Sequence, residues 1–198
     1  MSLNVFGELA LIEARKREHE KYAVAYSAEK YRMGPQRMHD AMRNLADLPC
    51  RGSYLDVGCG RGEMLDYAER RLKFASVQGV EVVPNLIDGV RVVRAEGHAL
   101  PFPDKSFDVV TLFDVIEHLL PDDDEAVCRE LLRVARQHIL LTANNQESTL
   151  PDGTQLHINK RPYPEWERLF TEWFAPATVR VAPCRITYAV SPMWRVDL

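Results

Sequence analysis

The chain has no apolar stretch approaching the roughly 20 residues that a membrane-spanning helix requires. Its first residues, Met1-Ser2-Leu3-Asn4, show no basic segment followed by a hydrophobic run. A soluble, cytoplasmic protein without a membrane partner is therefore expected. Positive charge is not in surplus either: 25 Lys and Arg stand against 29 Asp and Glu, a formal net charge of −4. That balance argues against nucleic acid as a partner, because an extended footprint normally shows as a basic face. A short RNA end or a nucleotide-sized substrate needs no such face. Cysteine is sparse, and Cys50, Cys59, Cys128 and Cys184 form neither a paired metal-ligand spacing nor a dense disulfide framework. They read as buried or half-buried free thiols. What remains is an ordinary domain of 198 residues, 46% hydrophobic, with enough apolar side chains for a sizeable core. A monomer or a homodimer is expected.

The most constraining segment is Leu55-Asp56-Val57-Gly58-Cys59-Gly60-Arg61-Gly62. An apolar strand runs into a glycine-rich turn that opens a helix. Such glycines remove Cβ atoms where the chain turns sharply and a ligand must approach the main chain closely. A second apolar strand closes on Gly79-Val80-Glu81, and an acid there can accept hydrogen bonds from ribose hydroxyls. Together the two segments predict a nucleoside cofactor held at a strand-to-helix turn.

Elements alternate along the chain as a doubly wound sheet requires. A charged helix is predicted from about residue 4 to 20, with Phe6, Leu9, Ile12 and Ala14 interspersed, lying on the domain or over the site. Met38, Ala41, Met42 and Leu45 recur with helical spacing and mark an amphipathic helix. Strands are predicted at Ser53–Val57, Ser76–Val82, Arg91–Arg94, Phe107–Phe113 and His138–Thr142. A helix from about Gly62 to Arg71 buries Met64, Leu65 and Ala68. Only residues 83–90, broken by Pro84 and Gly89, connect the second and third strands, so that crossover is about one turn. Asp122, Asp123 and Asp124 precede a helix over Glu125–Arg136, where carboxylates suit the positive end of the dipole and Asp124 or a neighbour caps it. Pro164 opens a helix whose Trp166, Leu169, Phe170 and Trp173 share a core face. Thr178–Ala182 and Arg185–Val190 read as two closing β-segments. Residues 146–155 form a long polar loop, a mobile flap over substrate or a passive surface loop.

The third informative segment, Ala95 to Val110, reads Ala-Glu-Gly-His-Ala-Leu-Pro-Phe-Pro-Asp-Lys-Ser-Phe-Asp-Val-Val. Here the chain resembles the class I S-adenosylmethionine-dependent methyltransferases, in particular the small-domain group with a Leu-Pro-Phe and Ser-Phe-Asp signature. The resemblance covers about residues 50–175. It implies an α/β, doubly wound, seven-stranded, mostly parallel sheet of Rossmann-like type with an antiparallel C-terminal strand pair. One domain, 1–198, is expected: N-terminal helices or lid (1–50), cofactor-binding core (51–145), then substrate loop, helix and closing strands (146–198). The implied cofactor residues are Asp56, Gly58, Cys59 and Gly60 at the glycine turn and Glu81 and Val82 at the ribose. Glu96, Gly97 and His98 fall on the adenine side, Glu96 standing where the family more often has Asp; Phe113 completes the pocket. Arg32 is a candidate for the cofactor carboxylate if Tyr22, Tyr26 and Tyr31 form a lid; those tyrosines equally suit anchoring of the first helices.

Methyl transfer from a sulfonium is an in-line displacement, so the protein must align a nucleophile and accommodate its proton. Ligands of open α/β sheets sit beyond the carboxyl ends of the strands. The candidates for catalysis are therefore Asp114, Glu117 and His118 after the fourth strand, with His118 either a general base or a pocket wall. Acid-x-x-Glu-His with the later His157 also resembles the metal-binding constellation of small-RNA 3′-end 2′-O-methyltransferases, and its first part the Glu-x-x-Glu-His of ubiquinone-pathway O-methyltransferases. That resemblance implies a divalent metal on Asp114, Glu117, His118 and His157, with Asp114 replacing a longer Glu.

Three functions follow. One is methyl transfer from S-adenosylmethionine to an oxygen or nitrogen of a small-molecule or sugar-like acceptor. The second is metal-assisted 2′-O-methylation of an RNA end or nucleotide. The third is non-catalytic binding of a nucleoside cofactor. A dinucleotide-dependent oxidoreductase is disfavoured, since the Leu100-Pro101-Phe102 and Ser106-Phe107-Asp108 segments have no role in hydride chemistry.

Overall fold

The computed structural model describes residues 5–27, 33–121, 123–184 and 192–198, the side chains of Val5 and Phe6 excepted. Helix α1 (Val5–Ser27) and helix α2 (Pro35–Ala46) precede strand β1 (Ser53–Val57) and helix α3 (Glu63–Arg70). Then come β2 (Ser76–Glu81), β3 (Val92–Arg94), β4 (Phe107–Leu112), α4 (Asp124–Val134), β5 (Ala135–Thr142), α5 (Tyr163–Trp173), β6 (Thr178–Ala182) and β7 (Met193–Asp197). The sheet order is β3-β2-β1-β4-β5-β7-β6. The first five strands are parallel, and β7 runs antiparallel between β5 and β6. This is the predicted seven-stranded, mostly parallel sheet, with its order reversing between β1 and β4.

Strand alternation divides the core in two. Leu55, Val57, Val110, Leu112, Ile139 and Leu141 face α4 and α5, meeting Val127, Leu131, Trp166 and Phe170. Tyr54, Val109 and Leu140 point the other way, to Ala41 and Leu45 of α2 and Met64, Leu65 and Ala68 of α3. Both faces are covered, which is why the central strands carry almost no outward polar residues. The aromatic face of α5 is core as expected: Trp166 stacks on Phe170 at 5.3 Å, and Phe170 meets Trp194 of β7 at 5.0 Å.

Several boundaries depart from the sequence reading. Helix α1 continues to Ser27 and so carries Tyr22 and Tyr26. Helix α4 stops at Val134, because Ala135 already pairs with Phe107 at the start of β5, three residues before the expected strand. Asp123 precedes α4 without a side-chain cap; its carboxylate is taken by Arg15 instead. The closing strand is Met193–Asp197, while the β-segment expected at 185–190 lies outside the described residues. The β2–β3 crossover is a single 3₁₀ turn, Pro84–Leu86, as its length required. The 146–155 segment is no open loop. It folds back through Leu156 N to Ser148 O, Leu150 N to Thr154 O and a Thr149–Gln155 bridge, turning at Pro151-Asp152-Gly153.

Candidate active site

A cavity of about 390 Å³ opens beyond the carboxyl ends of β1, β2, β4 and β5, where the strand order reverses. Its floor is the glycine turn. Gly58 and Cys59 donate their N–H groups to Val80 O at 2.8 and 3.1 Å, tying the turn to β2. Gly58 and Gly60 have φ of +72° and +54°, and a Cβ on Gly60 would stand 2.5 Å from the Tyr26 hydroxyl. The turn thus needs glycine both for its backbone and for the helix above it.

Glu81 ends β2 and holds the turn from the other side. Its Oε2 accepts from Gly60 N at 2.9 Å, and its Oε1 accepts from Val82 N and Val83 N at 2.7 and 3.0 Å. Asp56 accepts from the Thr111 hydroxyl at 2.6 Å. Burial pushes the Asp56 carboxyl up to about 7, helped by the Glu81 charge and opposed by the Thr111 hydrogen bond. Glu96 lies at the opposite edge against His19 Nε2, 3.2 Å away. Burial would raise the Glu96 carboxyl, but the His19 hydrogen bond and the His19, His98 and Arg15 charges outweigh it and hold it below its ordinary value.

Helix α1 roofs the cavity. Arg15 grips Asp123 with two nitrogens, Nε at 2.8 Å and Nη2 at 2.5 Å. Tyr22 Oη donates to Leu156 O at 2.9 Å and lies 2.5 Å from His118 Nδ1. Arg61 donates to Tyr26 O at 2.8 Å.

The β4–β5 end holds the other candidates. Asp114 takes a left-handed φ of +54°, tolerated by Asp, and is secured by Thr142: its N–H donates to Thr142 Oγ1 at 2.8 Å, and that hydroxyl donates back to Oδ1 at 3.0 Å. Its Oδ2 is 2.8 Å from Arg37 Nη2 of α2. His118 Nδ1 lies 3.1 Å from Leu156 O and His157 Nδ1 2.6 Å from Gln146 O. A carbonyl only accepts, so His157 is assigned the Nδ1–H tautomer with Nε2 carrying the lone pair. Their rings are 4.7 Å apart. Burial, then the neighbouring His157 and Arg37, drives His118 down to about 3, opposed by its Leu156 contact. At neutral pH the imidazole is therefore uncharged. Glu117 is fully buried, and burial with the nearby Asp114 raises its carboxyl well above the usual range, opposed by its own N–H and that of Asn144.

Asp56, Gly58, Cys59, Gly60, Glu81, Val82, Glu96, Gly97, His98 and Phe113 all line this cavity, with Asp114, His118 and His157. Glu117 does not; it sits beneath the surface. Arg32 and Tyr31 lie outside the described residues. Of the four metal candidates, Glu117, His118 and His157 bring ligand atoms within 4.8 Å of one another, while Asp114 is diverted to Arg37. Asp123 and Asp124 are engaged elsewhere: Asp123 with Arg15, Asp124 with Arg161 at 2.6 Å and Asn159 at 3.1 Å. The sequence reading missed Arg37 and Met33, which line the cavity. No motif marks them; only the helical spacing of α2 indicated which of its faces turns inward.

Residues 55–141 match the family described as a methyltransferase domain. Over these residues the chain is similar to methyltransferase domains. A fatty-acid O-methyltransferase of Mycolicibacterium smegmatis is 31% identical over 130 residues, 60% of this chain and 42% of that protein. The chain thus spans about two fifths of the length of the curated relative it matches. The fold recurs in a Burkholderia thailandensis 1,6-didemethyltoxoflavin N1-methyltransferase bound to 1,6-didemethyltoxoflavin and S-adenosylhomocysteine. That structure is 14% identical, covers 94% of this chain and 89% of its own, and has a TM-score of 0.72. An Archaeoglobus fulgidus SAM-dependent methyltransferase is 17% identical, covers 83% and 95%, and has a TM-score of 0.58.

Proposed function

We propose that this domain transfers a methyl group from S-adenosylmethionine to an oxygen atom of a small-molecule acceptor. The observation carrying the reading is the Gly58–Gly60 turn clamped by Glu81 inside a cavity that continues to the polar β4–β5 end. In this reading Glu81 receives the ribose hydroxyls. Asp56, Gly58, Cys59, Gly60 and Val82 surround the methionine and ribose, and Glu96, Gly97, His98 and Phe113 surround the adenine. Tyr22 and Tyr26 keep water from the transferring methyl, and the acceptor enters against Asp114, His118, Asn144 and His157. The fatty-acid relative supports oxygen over nitrogen as the atom methylated.

Calorimetric titration of the metal-stripped protein with S-adenosylhomocysteine tests the reading. One-to-one binding is expected, and no binding with or without added Mg²⁺, Mn²⁺ or Zn²⁺ would overturn it.

A second reading has its own support. Buried Glu117 and the His118 and His157 imidazoles bring ligand atoms within 4.8 Å of one another, a carboxylate-and-imidazole set that fits a divalent ion. Glu117, His118 and His157 would hold such an ion, which would polarise a bound acceptor hydroxyl, as in 2′-O-methylation of an RNA end or nucleotide. Under this reading His157→Ala loses bound metal by elemental analysis and loses turnover. Unchanged metal content and rate would remove it.

A further inference from the structure

Three guanidinium groups line the cavity, and two are consumed by structure. Arg15 spends both faces on Asp123, and Arg61 is held at the Tyr26 carbonyl and over the Tyr26 ring. Arg37 is different. Among the described residues its charged partner is Asp114, reached through one nitrogen at 2.8 Å, and its Nε has no hydrogen-bond partner. A guanidinium carries five N–H donors in a planar fork and cannot be deprotonated in a protein. Arg37 therefore keeps a permanent positive charge and spare donors at the β4–β5 end of the cavity.

No lysine is among the lining residues, and Met33, Met38, Leu119 and Leu120 add apolar surface to the same cavity. The Asp114 carboxylate accepts from Thr142 through its other oxygen, and its contact with Arg37 at 2.8 Å engages one nitrogen of the guanidinium fork. The Arg37 charge bears on Asp114, Glu117, His118, His157 and Tyr163 together.

We infer that Arg37 is the acceptor-binding residue, seating the carboxylate of an acid whose apolar body lies along Met33, Met38, Leu119 and Leu120. The inference rests on the methyl-transfer reading above and names its substrate class. A carboxylate arrives already ionised. One of its oxygens attacks the sulfonium methyl carbon, a C–O bond forms as the C–S bond breaks, and the bonding pair stays on sulfur. The products are a methyl ester and the neutral thioether, and no proton has to leave. That step needs a cation to hold and orient the acid and no base to activate it.

The test titrates octanoate, 1-octanol and octylamine into the full chain loaded with S-adenosylhomocysteine, for wild type, Arg37→Gln and Arg37→Lys. Octanoate is expected to bind wild type, at least tenfold more weakly to Arg37→Gln, with part of the loss recovered in Arg37→Lys. S-adenosylhomocysteine affinity should be unchanged in all three. With S-adenosylmethionine supplied, mass spectrometry should find methyl octanoate, and Arg37→Lys should raise KM more than it lowers kcat. Absence of octanoate binding to loaded wild type, equal octanoate affinity in Arg37→Gln, or methylation of the alcohol or amine in preference to the acid would each overturn the assignment. So would loss of S-adenosylhomocysteine affinity in both Arg37 variants, which would make Arg37 a cofactor residue. Failure of wild type to bind S-adenosylhomocysteine would instead overturn the methyl-transfer reading. Arg37→Lys keeps the test decisive if the Gln variant does not fold.

Discussion

At the scale of single residues, the candidate cofactor site depends on carboxylates and glycines whose neighbours are now identified. Glu81→Ala would orphan three backbone donors as well as remove the proposed ribose acceptor. A charge-assisted hydrogen bond is typically worth about 1.5–3 kcal/mol, so S-adenosylhomocysteine affinity should fall at least tenfold by calorimetry; an unchanged constant would show that the cofactor lies elsewhere. Gly60→Ala should weaken binding too, because its Cβ displaces Tyr26 and its φ of +54° becomes strained. Asp56 gives a pH signature. Its folded value near 7 lies above the ordinary 3.8, so the folded chain binds more protons than the unfolded chain between those values. Its contribution to stability is full below about 4 and is lost as pH rises toward 7. Asp56→Asn should flatten that part of the melting-temperature profile, and a slope identical to wild type would refute the burial argument. These residues were legible because backbone chemistry demands them: only glycine makes the turn without strain, and an acid at a strand end is a recognisable pattern. Arg37 was not, since nothing in its local sequence distinguishes a cavity arginine from any other on an amphipathic helix.

Between residue and domain, α1 is the element whose role depends on long-range contacts. Arg15 bonds Asp123, His19 meets Glu96, and Tyr22 reaches His118 and Leu156. These polar contacts couple the roof to both ends of the cavity, and they are absent from the helix's own sequence pattern. Tyr22→Phe removes the hydroxyl that satisfies Leu156 O and His118. Amide exchange across 5–27 should accelerate relative to wild type while α3 and the central strands keep their protection. Exchange unchanged in α1 would mean that Tyr22 does not hold the roof. The α2 and α5 helices were readable from periodicity alone. The end of α4 and the start of β5 were not, because Ala135 is drawn into the sheet by Phe107, a partner distant in sequence.

For the molecule as a whole, stability rests on the apolar layer between the sheet and α4–α5. Phe170 contacts Trp166, Trp173, Phe174 and Trp194 at once. Phe170→Ala should therefore destabilise the fold by about 3–5 kcal/mol in denaturant titration. A loss below about 1 kcal/mol would mean the aromatic cluster is not the anchor of β7. No described helix is long and apolar enough to cross a membrane, in keeping with a chain that invests its hydrophobic residues in two internal layers.

The sequence by itself determined the alternation of strands and helices, the glycine turn and the acids at the strand ends. Each of these follows from local periodicity or from a backbone conformation that only particular residues adopt. Tertiary structure alone decided that Glu117 is buried beneath the cavity and not in it, that Asp114 is paired with Arg37, and that His118 is uncharged at neutral pH. Those outcomes arise from burial and from partners brought together across α1, α2, β4 and β5, and distance along the chain carries no record of either.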